Sequence, residues 1–174
     1  MNLTKAFGEQ TLFTDLNFSI NTDERIALIG PNGVGKTTLV RIIMDLEPAT
    51  SGLVRHLRDP LVIGYVPQTL ELTEAPGCAR SLLTAEAEKL GAAMRCTVSE
   101  ALGHFGFTDD EAALPVAQLS GGLKSRLILA RCWLSLPDLL ILDEPTNHLD
   151  QDGCEQLAEI VRSYPTTVLA ISHD

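Results

Sequence analysis

The sequence predicts an α/β fold, in which helices cover both faces of a parallel sheet and a small antiparallel β element lies at the N-terminus. Strand-like apolar runs alternate with helix-like runs at both ends of the chain, and such alternation is typical of a parallel sheet. Residues 69–118 are instead rich in Ala, Leu and Glu, without a strong strand pattern. We therefore expect one domain over 1–174, with a core from 1–68 and 119–174 and an inserted α-helical subdomain at 69–118.

The first part of the core contains three predicted strands and one helix. The run "TLFTDLNFSI" (11–20) alternates like a strand or a hairpin, and "RIALIG" (25–30) is short, apolar and β-branched, as buried strands are. Helical spacing of apolar residues follows in "KTTLVRIIMDL" (36–46), and "LVIGYVP" (61–67) predicts another strand.

The remaining elements follow the same alternation. Helices are expected near 80–90 and 97–105, inside the inserted segment. After it, the patterns predict a helix in "GGLKSRLILARCWLSL", a strand in "LLILD", an amphipathic helix in "DGCEQLAEIVRSY" and a strand in "TTVLAIS".

Composition excludes several classes of protein. The net charge of −10 argues against a broad basic face that grips nucleic acid. None of the four cysteines lies in a CxxC spacing, which favours free thiols in a reducing compartment. The longest apolar run, "WLSLPDLLIL", is interrupted by Pro137 and Asp138 and is too short to span a bilayer. With no signal-peptide pattern at the N-terminus, we expect a cytoplasmic protein without membrane insertion.

A phosphate-binding loop is predicted at "GPNGVGKT", which fits G-x-x-x-x-G-K-[ST] between a predicted strand and a helix. Glycines let the backbone curl so that successive N–H groups point at phosphate oxygens, and the helix start adds its positive dipole end. Lys36 would reach the β- and γ-phosphates, and the Thr37 hydroxyl would be a ligand of Mg²⁺. The fold class is therefore a P-loop NTPase (RecA-like) core. The candidate phosphate-binding residues are Gly30, Pro31, Asn32, Gly33, Val34, Gly35, Lys36, Thr37 and Thr38.

Two adjacent carboxylates end the predicted strand at 139–143, in "LILDEPTNHLD". Ligands bind at the carboxyl ends of parallel strands, so this strand would deliver its last side chains to the phosphates. Asp143 is placed to hold Mg²⁺, through water. Glu144 would act as the general base that polarises the attacking water.

Four stretches together resemble the nucleotide-binding domain of ATP-binding-cassette (ABC) proteins. "GPNGVGKTT" is similar to the Walker A motif of that family, "LSGGLKSR" to its signature and "LLILDEPTNHLD" to Walker B with the D-loop. Gln68, after "GYVP", resembles the Q-loop glutamine, and His173 in "SHD" resembles the switch histidine. The motifs cover nearly the whole chain in the order of the family, and the LSGG signature is the discriminating one because phosphate-binding loops occur in many families.

The resemblance implies roles for residues outside the phosphate loop. Phe7 in "KAFG" resembles the aromatic residue that stacks on adenine. The alternative is that Phe7 is a core residue. Phe13 is the competing candidate for stacking, although its neighbours predict a buried position. Gln68 would sense Mg²⁺ and the attacking water, and His173 would contact the γ-phosphate. Asp150 would lie at a dimer interface.

The signature implies a second cassette. Ser120 is a good N-cap, and Gly121 and Gly122 leave the start of the following helix bare. In the family this site faces the γ-phosphate held by the partner, so that two cassettes bury two ATP molecules head to tail. Leu123 is a departure, since the family usually has Gln or Glu there, and it puts a polar contact with the ribose of the partner's nucleotide in doubt.

The phrase "EPTNHLD" resembles the ABC-F branch, which lacks a membrane domain and usually carries two cassettes. The resemblance implies an ATPase that acts on ribosomes, either in translation control or in protection from ribosome-targeting antibiotics. The alternative is the nucleotide-binding subunit of a membrane transporter. The 84 positions between Lys36 and Ser120 leave no room for the long coiled coil of the chromosome-structuring branch, and the intact Lys36, Asp143, Glu144 and His173 argue against a degenerate cassette. Both ends look short for the family, so we expect a piece of a longer tandem protein, and the short insert favours a second or short-armed cassette.

Overall fold

The computed structural model describes residues 2–67, 77–146 and 151–173. Four parallel strands form the central sheet, in the order β3, β6, β5, β4. Their bounds are β3 Arg25–Ile29, β4 Ile63–Val66, β5 Leu139–Asp143 and β6 Thr167–Ser172. A separate antiparallel pair consists of β1 Leu3–Phe7 and β2 Gln10–Leu16. The parallel sheet and the N-terminal antiparallel element confirm the predicted fold class.

Helices connect the strands of the sheet. Between β3 and β4 lies α1 (Lys36–Ile43), and α6 (Gln151–Ser163) connects β5 with β6. The segment after β4 contributes α2 Ala79–Leu90, α3 Val98–His104, α4 Asp109–Ala113 and α5 Gly121–Trp133, with 3₁₀ turns at Gly91–Ala93 and Val116–Gln118.

The β5 strand separates two apolar clusters because its side chains alternate between the faces of the sheet. One face packs against α1 in the α1-side cluster, which contains Ile141 and Ile171 of the sheet and Val40 of the helix. The other face packs against α2 to α6 in the α5-side cluster, which includes Leu140 and Leu127. The face that carries Ile141 is also the face that carries Asp143, and this places Asp143 on the side of α1.

Side-chain caps begin the four helices between β4 and β5. Thr97 and Thr108 each cap a helix while the Glu three residues later returns to the cap backbone, so both form a capping box. Ser120 accepts a hydrogen bond from the Leu123 N–H at 3.2 Å and thereby begins α5. This confirms that Ser120 is an N-cap, as its sequence position predicts.

The helix predicted over 36–46 was too long. Asp45 adopts a left-handed φ of 58°, its N–H donates to Ile42 O at 3.1 Å, and the Leu46 N–H donates to Arg41 O at 2.8 Å. This pair of bonds is a Schellman motif, which ends a helix. Consequently α1 stops at Ile43, and Leu46 lies outside it with its side chain exposed.

Three further differences from the sequence expectations are local. The strand β1 was not predicted, because its five residues alternate too briefly to stand out. The helix α5 ends at Trp133 rather than at residue 136. His104 carried no predicted role, and its ring stacks on Trp133 at 4.2 Å between centroids.

No helix in the described part of the chain is both long and apolar enough to traverse a bilayer.

Candidate functional site

The candidate phosphate-binding loop joins the end of β3 to the start of α1, which is the strand–loop–helix order that the sequence predicts. Gly33 and Gly35 have φ values of 82° and 101°, which favour glycine and turn the backbone N–H groups of the loop to one side. A Cβ on Gly35 would lie 3.1 Å from Leu12 Cδ1, whereas a Cβ on Gly33 would meet nothing within 4 Å. The β1–β2 hairpin therefore lies directly against the beginning of α1.

The side chain of Lys36 folds back into this loop. Its Nζ donates to the carbonyl oxygens of Gly30 and Pro31 and lies 3.7 Å from Glu144 Oε1. Only 8% of the lysine side chain is exposed. Thus a buried ammonium group lies in a loop whose backbone N–H groups can donate to an anion, and this arrangement fits the phosphates of a nucleotide.

The other members of the loop surround this centre. Pro31, Asn32, Gly33, Val34 and Thr37 are exposed, while Gly30, Gly35, Lys36 and Thr38 are partly buried. The residues that would contact a phosphate through the backbone are therefore open to solvent, and the α1 residues after Thr38 turn into the core.

Asp143 ends β5 as a buried carboxylate, with 3% of the residue exposed. Its Oδ2 accepts hydrogen bonds from Thr37 Oγ1 at 3.2 Å and from Tyr65 Oη at 3.1 Å. Burial, followed by the charge of Asp143, raises the pKa of Tyr65 to about 12, so the phenol remains a donor at physiological pH. The hydroxyl of Thr37 and the carboxylate of Asp143 offer neighbouring hard oxygen donors, and that donor set fits Mg²⁺.

Glu144 occupies the turn after β5 in a left-handed conformation, with φ of 51°. Its backbone N–H donates to Ile171 O at 3.0 Å, and only 6% of the residue is exposed. His173 Nδ1 lies 2.7 Å from Glu144 Oε2, while Lys36 Nζ approaches Oε1. The structure thus brings together three of the predicted residues, Lys36, Glu144 and His173, from separate parts of the sequence.

Phe7 lies on the hairpin with 53% of its surface exposed, so the alternative of a core position is wrong. The Nζ of Lys5 lies 4.3 Å from the centroid of its ring and is held there by Glu47 Oε1 at 2.6 Å and Pro48 O at 2.8 Å. Phe13, the competing stacker, packs partly buried against the α1-side cluster.

The signature residues lie apart from this cluster. Ser120 and Gly121 are exposed at the start of α5, and Gly122 is partly buried. Within the described ranges, no hydrogen bond links the Ser120 side chain to Lys36, Thr37 or Asp143. Leu123 packs partly buried against the α5-side cluster. Two residues with predicted roles, Gln68 and Asp150, lie outside the described residues.

Tyr65 is the member of the site that the sequence patterns did not indicate. It lies on β4, where its Cα pairs with Ile141 of the neighbouring parallel strand. The signal that would have found it is this register, since residues paired in parallel strands share a face of the sheet. Tyr65 therefore shares a face with Asp143, two residues beyond Ile141.

Three features define a P-loop nucleotide-binding protein: a parallel α/β sheet, a glycine-rich loop that joins β3 to a helix, and two carboxylates at the end of β5, which β6 separates from β3. Residues 13–147 match the family model described as ABC transporter. The chain belongs to the ABC family, as an ABC ATPase cassette with ABC-F proteins among its relatives.

The relatives found among curated proteins include two bacterial proteins and a mouse protein. The ribosome protection protein VmlR of Bacillus subtilis is 42% identical, with 99% of this chain and 30% of that protein covered. The ATP-binding protein Uup of Escherichia coli is 40% identical over 96% of this chain and 26% of that protein. The ATP-binding cassette sub-family F member 3 of Mus musculus is 36% identical over 95% of this chain and 23% of that protein. The chain therefore spans less than a third of the length of these relatives.

Two solved structures share the fold. An ATP-binding subunit of an ABC transporter is 25% identical with a TM-score of 0.76, covering 99% of this chain and 77% of that chain. The ADP conformation of an ATP-binding cassette of an ABC transporter is 21% identical with a TM-score of 0.78, covering 99% of this chain and 79% of that chain.

Proposed function

We propose that this chain binds Mg²⁺-ATP and hydrolyses its terminal phosphate, as one cassette of a longer ABC-F-type protein that works with a second cassette at the ribosome. The observation that carries the proposal is the position of Glu144. Its buried carboxylate lies between the lysine of the phosphate loop and His173, where it would face the water that attacks a bound nucleotide.

Nucleotide binding begins with an exchange of partners at Lys36. Its ammonium group leaves the Gly30 and Pro31 carbonyl oxygens for the β- and γ-phosphate oxygens, while N–H groups of the loop donate to the same phosphates. The open face of the Phe7 ring stacks on the adenine, opposite the face that Lys5 occupies.

Thr37 and Asp143 would hold Mg²⁺, together with Gln68 from the segment after β4. When bound, Mg²⁺ would supply positive charge that offsets the negative charge of the β- and γ-phosphates. The contact between the Thr37 hydroxyl and Asp143 Oδ2 already places the two oxygen donors side by side.

Hydrolysis then requires a base and a donor near the γ-phosphate. Glu144 accepts a proton from the attacking water as the water oxygen bonds to phosphorus, and the bond to the bridging oxygen of ADP breaks. His173 holds Glu144 Oε2 and contacts the γ-phosphate. Since Lys36 also lies 3.7 Å from Glu144 in this structure, its move to the phosphates would free the carboxylate for the water.

A second cassette would complete the site. Ser120, Gly121 and Gly122 sit at the solvent-facing start of α5, where backbone N–H groups suit an anion supplied from outside the chain. We infer that they contact the γ-phosphate held by the phosphate loop of the partner. Leu123 packs into the apolar cluster, so the contact would be made by the serine and the glycines alone.

The ribosome is proposed from the relatives, above all from VmlR, whose name is that of a ribosome protection protein. The full-length protein that contains this chain, purified with Mg²⁺-ATP, should cosediment with ribosomes when Glu144→Gln slows hydrolysis, and release them on exchange to ADP. Recovery with membranes instead would favour the transporter subunit. No ATP hydrolysis by the full-length protein, with or without ribosomes, would contradict the enzymatic part.

A further inference from the structure

We propose that Tyr65 is a positioning residue that fixes the Asp143 carboxylate for Mg²⁺. This inference rests on the proposed function, because it concerns the metal that Asp143 would hold. Tyr65 touches neither nucleotide nor metal in the proposal, and it acts only through the oxygen to which it donates.

The register of the sheet brings the two residues together. Tyr65 pairs with Ile141 across the parallel ladder, and Asp143 follows Ile141 on the same face. The phenol extends along β5 and donates from Oη to Asp143 Oδ2 at 3.1 Å. Packing against the α1-side cluster holds the ring in place.

The two hydrogen bonds on Asp143 distinguish its oxygens. Both Tyr65 and Thr37 donate to Oδ2, and no donor among the described residues contacts Oδ1. Oδ1 is therefore the oxygen left for the metal or for a water bound to it. A carboxylate held through one oxygen cannot rotate freely, and such outer contacts orient metal ligands.

Tyr65 and Thr37 differ in what they do when the metal arrives. Thr37 is itself a candidate ligand, so its oxygen has to serve Mg²⁺ as well as Asp143. Tyr65 belongs to the sheet rather than to α1. Its hydroxyl donates to Asp143 and is not a candidate ligand of Mg²⁺. We infer that it keeps the carboxylate oriented while the loop and helix adjust to the nucleotide.

The chain offers a matched control, because it contains two tyrosines. The Tyr164 ring is buried with 1% of its surface exposed, and its hydroxyl has no hydrogen-bond partner in the described part of the chain. Tyr65→Phe and Tyr164→Phe each remove a phenolic oxygen. The first loses its hydrogen bond to Asp143, and the second loses a hydroxyl in an apolar site next to Trp133.

The experiment measures binding of ATP to the full-length protein over a range of Mg²⁺ concentrations, and in excess chelator. We expect Tyr65→Phe to raise the Mg²⁺ concentration for half-maximal binding by about 10-fold or more, the usual cost of removing an outer partner of a metal ligand. Affinity in chelator should be unchanged. Tyr164→Phe should change neither quantity, and any second nucleotide site contributes equally to all three proteins.

The outcomes separate this inference from the proposed function. If the parent protein binds ATP without any dependence on Mg²⁺, the proposed metal site fails and the role of Tyr65 fails with it. If the parent depends on Mg²⁺ and Tyr65→Phe follows the same curve, Tyr65 has no positioning role. A lower melting temperature without a shift in the Mg²⁺ curve would assign Tyr65 to packing alone and overturn the inference. Direct titration with Mn²⁺, followed by electron paramagnetic resonance of the free ion, gives a second measure of metal affinity.

Discussion

Glu144 Oε2 and His173 Nδ1 lie 2.7 Å apart, although 29 positions separate the two residues in the chain. The contact is possible because β5 and β6 are neighbouring parallel strands, whose carboxyl ends reach the same edge of the sheet. Glu144 also pairs with Lys36. The carboxylate at the end of β5 therefore contacts side chains that follow β3 and β6.

Glu144→Gln should retain ATP binding, because the amide is nearly isosteric and the partner contacts of Asp143 are untouched. Hydrolysis should fall by about 10²–10⁴-fold, as expected when a general base is lost. The measurements are phosphate release and nucleotide affinity in the full-length protein. Glu88→Gln, at an exposed position, is the matched control, and hydrolysis at the parent rate would remove Glu144 from the mechanism.

The same Glu144→Gln variant should accumulate an ATP-dependent closed pair of cassettes, since the nucleotide persists between them. Light scattering of the full-length protein, with and without Mg²⁺-ATP, reports whether the compact or dimeric form appears. Slow hydrolysis without closure would show that the Ser120–Gly122 segment does not engage a partner.

Lys36→Ala should weaken ATP binding by roughly 10- to 100-fold, the range expected when a charge-assisted hydrogen bond worth about 1.5–3 kcal/mol is lost. The folded structure should tolerate the change better than the site does, because Glu144 keeps His173 as a partner. Nucleotide affinity is measured beside a melting curve. The surface residue Lys89, whose side chain is 73% exposed, supplies the control Lys89→Ala, and parent-like affinity of Lys36→Ala would refute the phosphate-loop assignment.

Phe7→Ala should weaken ATP binding by about 1–2 kcal/mol, as the loss of stacking on one base does. Because stacking does not read the edges of a base, GTP should lose a similar amount. Phe13→Ala is the comparison: its partly buried ring should cost folding stability, up to about 3 kcal/mol. Calorimetric titration and thermal unfolding of both variants distinguish the two roles, and the reverse pattern would identify Phe13 as the stacker.

Gly33→Ala and Gly35→Ala should differ in stability although both glycines have positive φ. Both alanines carry backbone strain of about 1–3 kcal/mol. A Cβ at Gly35 would also press on Leu12 at 3.1 Å, while one at Gly33 has open space, so Gly35→Ala should unfold at the lower temperature. Equal melting temperatures would mean that the hairpin does not press on the loop.

The cysteines should react with an alkylating reagent in a fixed order at pH 8. Hydrogen bonds from Ser81 lower the pKa of Cys78, which favours the reactive thiolate. Burial raises the pKa of Cys96, and it raises that of Cys132 to about 11. Since the thiolate fraction of Cys132 becomes large only above its pKa, peptide mass spectrometry should find Cys78 modified first and Cys132 last. Early modification of Cys132 would indicate that the α5-side core opens.

Local patterns were sufficient to predict much of the fold. Three elements are each specified by their own residues: β3 by its β-branched run, β5 by its apolar run, and α1 by the helical spacing after Thr37. The glycine-rich loop marks the junction of β3 with α1. Ser120 as a cap needed only its neighbours. These elements were confirmed because each depends on interactions close in sequence. The expectation that β3 is buried was wrong, because β3 lies at the end of the strand order and has Arg25, Ala27 and Ile29 exposed.

The remainder depends on contacts between distant residues. The Schellman motif that ends α1 places Asp45, which is not glycine, in a left-handed conformation. No residue pattern in the sequence predicts this helix end. The sequence predicts Tyr65 only as an aromatic residue in a strand. Its proximity to Asp143 follows from the register of β4 against β5, which the sequence does not give. The stacking of His104 on Trp133 and the pairing of Lys36 with Glu144 likewise arise from tertiary packing, and a single sequence does not encode them as a spacing.

The contact between Gly35 and Leu12 has a consequence for the length of the ligand. A Cβ on Gly35 would approach Leu12 of β2 within 3.1 Å, so the hairpin that carries Phe7 lies against the glycine-rich loop. Under the proposed function, the Phe7 ring would contact the base and the loop would contact the phosphates. A nucleoside triphosphate would then contact both, whereas free pyrophosphate would contact the loop alone, and the missing side chain of Gly35 would contribute to that preference.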